Sequence, residues 1–380
     1  LKIASISTFR VPCGVGKYFE ELAYPLSDLV DLTIHAEKTV KEELAISKKS
    51  LQFIRDWHRS ENNYDELFKN LVSEKPDVVH IQFESAIYNE GMFNNSNLLK
   101  LIKNLHTQNI PTVITLHNVP QYNPLMANVG KWYEDCDSHF IVTNKLMEEE
   151  FYKWLPSAKI SVIPLGSTLF TPLSTGEARK TLSLPEDNFL IVQTGFYGKD
   201  KGMLQLIQAM PKILPTIPNS KLIFAGSIHP LAPPVHKSYL LFCMKTALNL
   251  GLNDKVIFTG KFLDEENLNL YLSSADIIAV NHQYIFGLFS SSASTHRALA
   301  AGKPMLLNKD DVRLSEFQDG IHCLKNTNEN IAEKVIELYT NVSLREKIYK
   351  GASDLAISTS FKEIAEAHLK VYKNVRIKKD

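Results

Sequence analysis

Cysteine is scarce in this chain: Cys13, Cys136, Cys243 and Cys323 stand far apart, and no CxxC pair exists. That spacing argues against a zinc ribbon or a redox dithiol and fits a reducing compartment. Neither sign of charge is in excess, with 42 Lys plus Arg against 42 Asp plus Glu. A balanced chain offers no general attraction to nucleic acid and no strong one to a membrane. No apolar run approaches the roughly 20 residues of a membrane span. The first residues, LKIASIST, lack the apolar stretch of a secretion signal. These absences make a cytoplasmic protein the expectation. Repeats and low-complexity tracts are missing, and so is the GxxxxGK[ST] loop of P-loop nucleotide sites. No His/Cys cluster has the spacing of metal ligands, so no metal or other cofactor is expected.

What is present suits a globular protein of two or three domains: 380 residues, 44% hydrophobic and 22% charged. Short β-rich runs alternate with helical patterns. Residues 2–7, 77–82, 112–116, 139–142 and 159–163 read as strands, with helices at 16–24, 65–73 and 97–106. The pattern restarts near residue 188. Strands are expected at 189–194, 221–225, 256–259, 276–280 and 304–307, with helices at 202–213 and 266–273. Nearly continuous apolar strands between helices imply parallel sheets covered on both faces. Residues 164–183, with Pro164, Gly166, Pro172 and Gly176, read as an interdomain linker. The expected architecture is therefore α/β, two doubly wound Rossmann-like domains facing a central cleft. The expected boundaries are 1–165, 166–358 and a final helix and tail over 359–380.

Five stretches carry candidate chemistry. Arg10-Val-Pro-Cys-Gly14-Val-Gly16 follows the first strand and opens a helix. It reads either as a cradle of free N–H groups for phosphate or as a plain turn. Thr115-Leu-His117 ends a strand, where His117 can meet a sugar hydroxyl or serve as a satisfied structural residue. His80-Ile-Gln82-Phe-Glu84 ends the strand before it, and Gln82 and Glu84 either face the cleft or belong to an ordinary polar loop. Gly195-Phe-Tyr-Gly198-Lys199-Asp-Lys201-Gly202 combines glycines for close approach with cations suited to a diphosphate. Finally, Ser290 to Thr295 is hydroxyl-rich, with Ser291, Ser292, Ser294 and Thr295, and enters a helix carrying Arg297 and ending at Gly302.

In this order and spacing the five stretches resemble glycosyltransferase family 4, the large retaining GT-B family. The likeness runs through Asp77-Val-Val-His80-Ile-Gln82-Phe-Glu84, Thr115-Leu-His117, Val162-Ile-Pro164-Leu-Gly166, Gly195-Phe, Lys201-Gly202, Gly226-Ser-Ile-His229-Pro230 and Ala298-Leu-Ala-Ala-Gly302-Lys-Pro304. It implies a metal-independent hexosyltransferase of polysaccharide or glycoconjugate synthesis. A nucleotide-diphosphate sugar would be the donor, and a glycan or lipid-linked molecule the acceptor. His117 and Lys201 would be catalytic. Gly14, Gly16, Gly195, Lys199, Phe262, Leu263, Ser291, Ser292, Ser294, Thr295 and Arg297 would hold the donor. Residues 260–263 would hold its base through backbone groups, and the final helix would cross back to the first domain. The sequence also departs from the family. Phe196 and Gly198 stand where an Arg is common. No Asp or Glu lies between Asp276 and Asp310, so the family's paired glutamates are missing. A degenerate homologue that binds a partner or glycan is one alternative, and another GT-B enzyme, such as a sugar-nucleotide epimerase or a phosphorylase, is the other. Arg10, Gln82 and Glu84 are the candidate contacts on the acceptor side, which residues 37–63 and 85–97 would line. The first of these contains Lys38, Lys41, Lys48, Lys49, Arg55 and Arg59. It reads as a solvated helix face or as a peripheral contact with anionic lipid at the inner membrane face.

Overall fold

The computed structural model of the protein describes residues 1–11, 13–39, 50–59, 63–88, 96–229, 232–283 and 287–376. The strands are β1 (Lys2–Ser7), β2 (Asp31–Glu37), β3 (Leu51–Trp57), β4 (Val78–Phe83), β5 (Thr112–Leu116), β6 (Asn118–Pro120), β7 (His139–Val142) and β8 (Lys159–Val162). They continue with β9 (Phe189–Thr194), β10 (Ser220–Ala225), β11 (Val256–Phe258), β12 (Ile277–Val280), β13 (Leu288–Ser290), β14 (Met305–Asn308) and β15 (Leu324–Asn326).

The chain divides into two compact units. One holds residues 1–166, 287–293 and 359–380, and the other holds 167–286 and 294–358. The first contains a parallel sheet in the order β3-β2-β1-β4-β5-β7-β8, the second one in the order β11-β10-β9-β12-β14-β15. Each is the doubly wound order in which the chain runs outward to one edge, then returns to the middle and fills the other. Burial explains the strands. Ala4 and Ile6 of β1 face one apolar cluster and Ile3 the other. In β9, Ile191 faces one cluster while Leu190 and Val192 face the second. Alternate side chains thus enter two cores, so these strands read as unbroken apolar runs.

The final helix, Phe361–Val375, folds onto the first unit, where Ile364, Ala365, Val371 and Tyr372 share a core with Phe19 and Leu22. Gly166 fits this junction. A Cβ there would stand 2.3 Å from the Phe361 ring.

Three parts differ from the sequence reading. Residues 164–183 are not a bare linker: Thr175–Thr181 is a helix closed by a capping box between Ser174 and Glu177. Its Arg179 is buried, with Nη2 2.6 Å from Asp276 Oδ2. Residues 287–293 leave the second unit's chain stretch because β13 pairs antiparallel with β6, Phe289 opposite Val119. Within 37–63, residues 51–57 form strand β3 rather than a helix face. Of the six cations there, Lys41, Lys48 and Lys49 lie outside the described residues. Lys38 pairs with Glu66, Arg59 with Glu37, and Arg55 donates to the carbonyls of Glu37 and Phe9. Much of the 85–97 stretch also lies outside the described residues.

A buried ionic cluster ties β2, β3 and the Asp65–Glu74 helix together. His35 Nδ1 lies 2.7 Å from Asp56 Oδ2 and its Nε2 2.9 Å from Glu74 Oε2. Burial pulls the imidazole toward neutrality, but hydrogen bonds and charge from both carboxylates reverse this and raise its pKa to about 9. His35 is therefore an imidazolium at neutral pH.

Candidate functional site

Doubly wound sheets bind ligands beyond the carboxyl ends of their strands, where strand order reverses. In the second unit that point lies between β9 and β12. The loop after β9 brings Lys201 there. Gly202 has φ +66°, and a Cβ on it would stand 1.9 Å from the Asn281 carbonyl that follows β12. Only glycine fits so close an approach. Gln193 of β9 donates to the Lys201 carbonyl at 2.6 Å. Lys201 Nζ lies 2.8 Å from Asp200 Oδ2, and Arg313 Nη1 lies 3.8 Å from the same oxygen. Arg313 also binds Asp311 at 2.8 Å. Burial pushes the Asp200 carboxyl up, and the two cations more than reverse this. Burial holds the neighbouring His282 at about 4, so it is neutral. Two cations thus flank one carboxylate that an arriving diphosphate can displace.

The sequence reading missed Arg313. Its signal was its place just after β14, at a strand's carboxyl end. Lys199 is exposed on the same loop. Gly195 has φ +112°, and a Cβ on Gly226 would stand 1.9 Å from the Gly195 carbonyl. Phe196 and Phe262, 39% and 70% exposed, put their rings 6.0 Å apart, with His229 4.7 Å from Phe196. These aromatic faces stand open at the carboxyl edge. Leu263 instead turns inward against the core.

The hydroxyl-rich stretch behaves otherwise than expected. Ser291 accepts hydrogen bonds from Thr143 at 2.9 Å and Asn144 at 2.8 Å, and so belongs to the first unit. Ser292 and Thr295 are buried, while Ser294 is exposed on the short helix Ala293–Leu299. Arg297 pairs with a carboxylate of its own unit. Its Nη2 lies 2.8 Å from Glu265 Oε1 on the neighbouring helix. His296 is fully buried and bound to Glu316 at 2.8 Å. The sequence leaves Arg297 two readings, donor contact or a surface ion pair, and the fold sets Glu265 against it and Glu316 against His296. Arg297→Glu should consequently place an acid beside Glu265 and lower the thermal midpoint by several degrees, with donor affinity changing less than about threefold. Thermal unfolding and donor titration of the variant check this.

In the first unit the reversal lies between β1 and β4. Gly14 opens the helix Gly14–Leu26 with free space at its Cα. A Cβ on Gly16 would stand 3.1 Å from the Thr8 carbonyl, so the helix start is pressed onto the end of β1. Arg10 (φ +53°) lies by Glu20 at 3.9 Å and donates to Tyr24 at 3.3 Å, which ties it to that helix. Glu84 accepts from Asn118 Nδ2 at 3.0 Å and from the Ala86 amide at 3.1 Å. Gln82 does not face an acceptor. It is fully buried and accepts from His117 Nε2 at 2.8 Å. His117 is partly buried at the end of β5, its ring 5.3 Å from that of Tyr18.

Burial, with His368 nearby, lowers the pKa of His117 to about 4, and burial alone brings His368 to about 4. Both stay neutral in the fold, whereas free histidine titrates near 6.5. Their contribution is fully present above pH ~6.5 and is lost as the pH falls toward 4. The raised His35 acts oppositely, present below ~6.5 and lost as the pH rises through 9. Chemical denaturation across pH should show a stability maximum near pH 6–7. The acid side should fall by on the order of 3 kcal/mol for the fully buried His368.

Among the described residues no group of three or more His, Cys, Asp or Glu could hold a metal. The sequence does contain one Asp-x-Asp stretch, Asp135-Cys-Asp137, at the amino end of β7. Asp135 pairs there with Lys131 and Lys103, away from the carboxyl ends. No helix among the described residues is long and apolar enough to cross a membrane.

Two Rossmann-like α/β units of this order define the GT-B architecture. The whole chain superposes on a sucrose-phosphate synthase from Thermosynechococcus elongatus with TM-score 0.74 at 19% identity, covering 98% of each chain. Residues 174–354, nearly all of the second unit, match the model of the glycosyl transferases group 1 family. The chain thus has the GT-B fold, and its second unit is similar to the group 1 glycosyltransferases. It is 25% identical over 247 residues, 64% of the chain, to a lipopolysaccharide 1,2-N-acetylglucosaminetransferase of Salmonella typhimurium. It is 24% identical over 308 residues, 73% of the chain, to an alpha-monoglucosyldiacylglycerol synthase of Acholeplasma laidlawii. The chain spans 61% and 70% of the lengths of these two relatives.

Proposed function

We propose that this protein transfers a sugar from a nucleotide-diphosphate donor to a glycan or lipid-linked acceptor, with retention at the anomeric carbon, as a member of glycosyltransferase family 4. One observation carries the reading. Lys201 and Gly202 sit at the strand-order reversal of the second sheet, inside the stretch that matches the group 1 model. Lys201 stabilises the charge that develops on the leaving diphosphate. The Phe196 and Phe262 faces flank the nucleotide base beside the 260–263 backbone. The names of the two relatives support an acceptor on a glycan or a lipid. Purified protein should show a thermal shift with one class among UDP, GDP, ADP and dTDP sugars, and should release that nucleotide when an acceptor is added. Magnetic resonance of the product gives the anomer. No turnover with any donor class would sink the proposal. EDTA should leave turnover unchanged, since positioning and fixed charge supply the catalysis. Loss of turnover restored by magnesium or manganese would contradict that.

A second reading is favoured by one feature. The helix that follows β13 offers Arg297, held by Glu265, where the family has an acid. A non-catalytic homologue would bind donor or glycan without hydrolysis or transfer, and the same assay separates the two.

A further inference from the structure

β4 and β5 place an unusual set of polar groups inside the first unit. Parallel register sets Gln82 opposite Thr115, and His80 lies two residues before Gln82 on the same face. His80, Gln82 and Thr115 have no solvent exposure. His80 Nε2 lies 2.8 Å from Thr115 Oγ1 and 3.1 Å from Gln82 Nε2, while its Nδ1 lies 2.7 Å from the hydroxyl of Tyr372. Tyr372 is fully buried and belongs to the Phe361–Val375 helix. The chain ends at His117, whose Nε2 is 2.8 Å from Gln82 Oε1.

Donor and acceptor logic fixes the protons. The Gln82 amide donates to His80 Nε2, so that nitrogen carries no hydrogen. The His80 proton then sits on Nδ1 and is donated to the Tyr372 oxygen. Gln82 Oε1 accepts, so His117 carries its proton on Nε2 and Nδ1 is a bare lone pair. Among the described residues no hydrogen-bond partner of His117 Nδ1 is present. The His368 ring lies 5.5 Å from that of His80, tilted by 41°, and donates its own Nδ1–H to the Ile364 carbonyl at 2.8 Å. Burial lowers the proton affinity of all three imidazoles. An unpaired charge in this core would be costly, so the chain holds neutral rings in one tautomer.

We propose that Gln82, His80 and Tyr372 are positioning residues that fix the His117 tautomer. His117 then offers Nδ1 as an acceptor to a hydroxyl of the transferred sugar, which makes the final helix part of the catalytic support. The role rests on the transferase reading above. A His117 that accepts from a hydroxyl holds the sugar without taking up a proton, and a ring free to rotate or exchange tautomers would lose that contact.

The test has two arms. Nitrogen-15 histidine spectra of the wild-type protein should show His117 as the Nε2–H tautomer at neutral pH. An Nδ1–H or mixed form overturns the proposal, whether or not any variant folds and whether or not sugar is transferred. In the kinetic arm, Gln82→Leu should lower kcat on the order of 10²-fold with donor KM little changed. Tyr372→Phe should lower kcat by roughly fivefold, one neutral hydrogen bond's worth. Gln82→Glu keeps an acceptor oxygen and should retain the Nε2–H tautomer and more activity than Gln82→Leu. Wild-type kcat in a folded Gln82→Leu protein, or equal loss in the Leu and Glu variants, overturns it. An inactive wild-type protein with the expected spectrum would defeat the transferase reading alone.

Discussion

Lys201→Ala is expected to reduce kcat for sugar transfer by on the order of 10²-fold while leaving the thermal midpoint nearly unchanged. The residue sits in a short turn, partly exposed, and among the described residues its ion pair is with the adjacent Asp200. Removing the ammonium therefore frees a carboxylate that Arg313 still faces at 3.8 Å, so little folding energy is lost. On the proposed function the transition state loses more, since charge would build on the diphosphate as the sugar leaves and a cation already held at the Gly202 turn needs no rearrangement to meet it. Lys201→Arg should recover only part of the rate, because the larger fork does not fit the place of a point charge. Steady-state kinetics with saturating acceptor, alongside thermal unfolding, reads both quantities. Undiminished kcat in the alanine variant would remove Lys201 from the mechanism.

His35→Leu should destabilise the first unit by about 3–5 kcal/mol in urea unfolding at pH 7. The imidazolium is fully buried between Asp56 and Glu74, and Asp56 is itself fully buried. Deleting the cation leaves a carboxylate without its counter-charge in the core, where the Asn70 amide still donates to it at 2.9 Å. The double variant His35→Leu, Asp56→Leu should regain most of the loss, since it removes the orphaned charge with its partner. Raising the pH should weaken the wild-type protein through the same group. The His35 contribution is present below the unfolded pKa of ~6.5 and disappears as the pH passes 9. A leucine variant as stable as wild type at pH 7 would show that the cluster is neutral in the fold.

Which parts of this molecule were legible follows from range. β1, β5, β7 and β9 were read at their observed bounds, because each is an apolar run whose two faces both enter a core. β3 was not, since LQFIRDW is an edge strand that exposes Gln52 and Ile54 and buries the charged Asp56, and its six-cation neighbourhood looked like a helix face. The Thr175–Thr181 helix was missed although Ser174 and Glu177 carry the capping spacing. Pro172 and Gly176 outweighed it. β6 and β13, three residues each, have too few positions to show a period.

The candidate site divides the same way. Local sequence determined that glycine-rich turns and a cation follow the first strand of each sheet, since turn chemistry and helix starts depend on neighbours a few residues away. Partner choice did not follow from it. Nothing local names Glu265 as the partner of Arg297, and Gln82 looked like an acceptor contact until the β4–β5 register aimed it at His117. Arg313 entered the Lys201 site only because β14 ends beside β12. Side chains far apart in the chain are brought together by strand register and helix packing. Electrostatic and hydrogen-bond energies depend on those last few ångströms, so tertiary structure alone decides which charges are spent and which remain for a ligand.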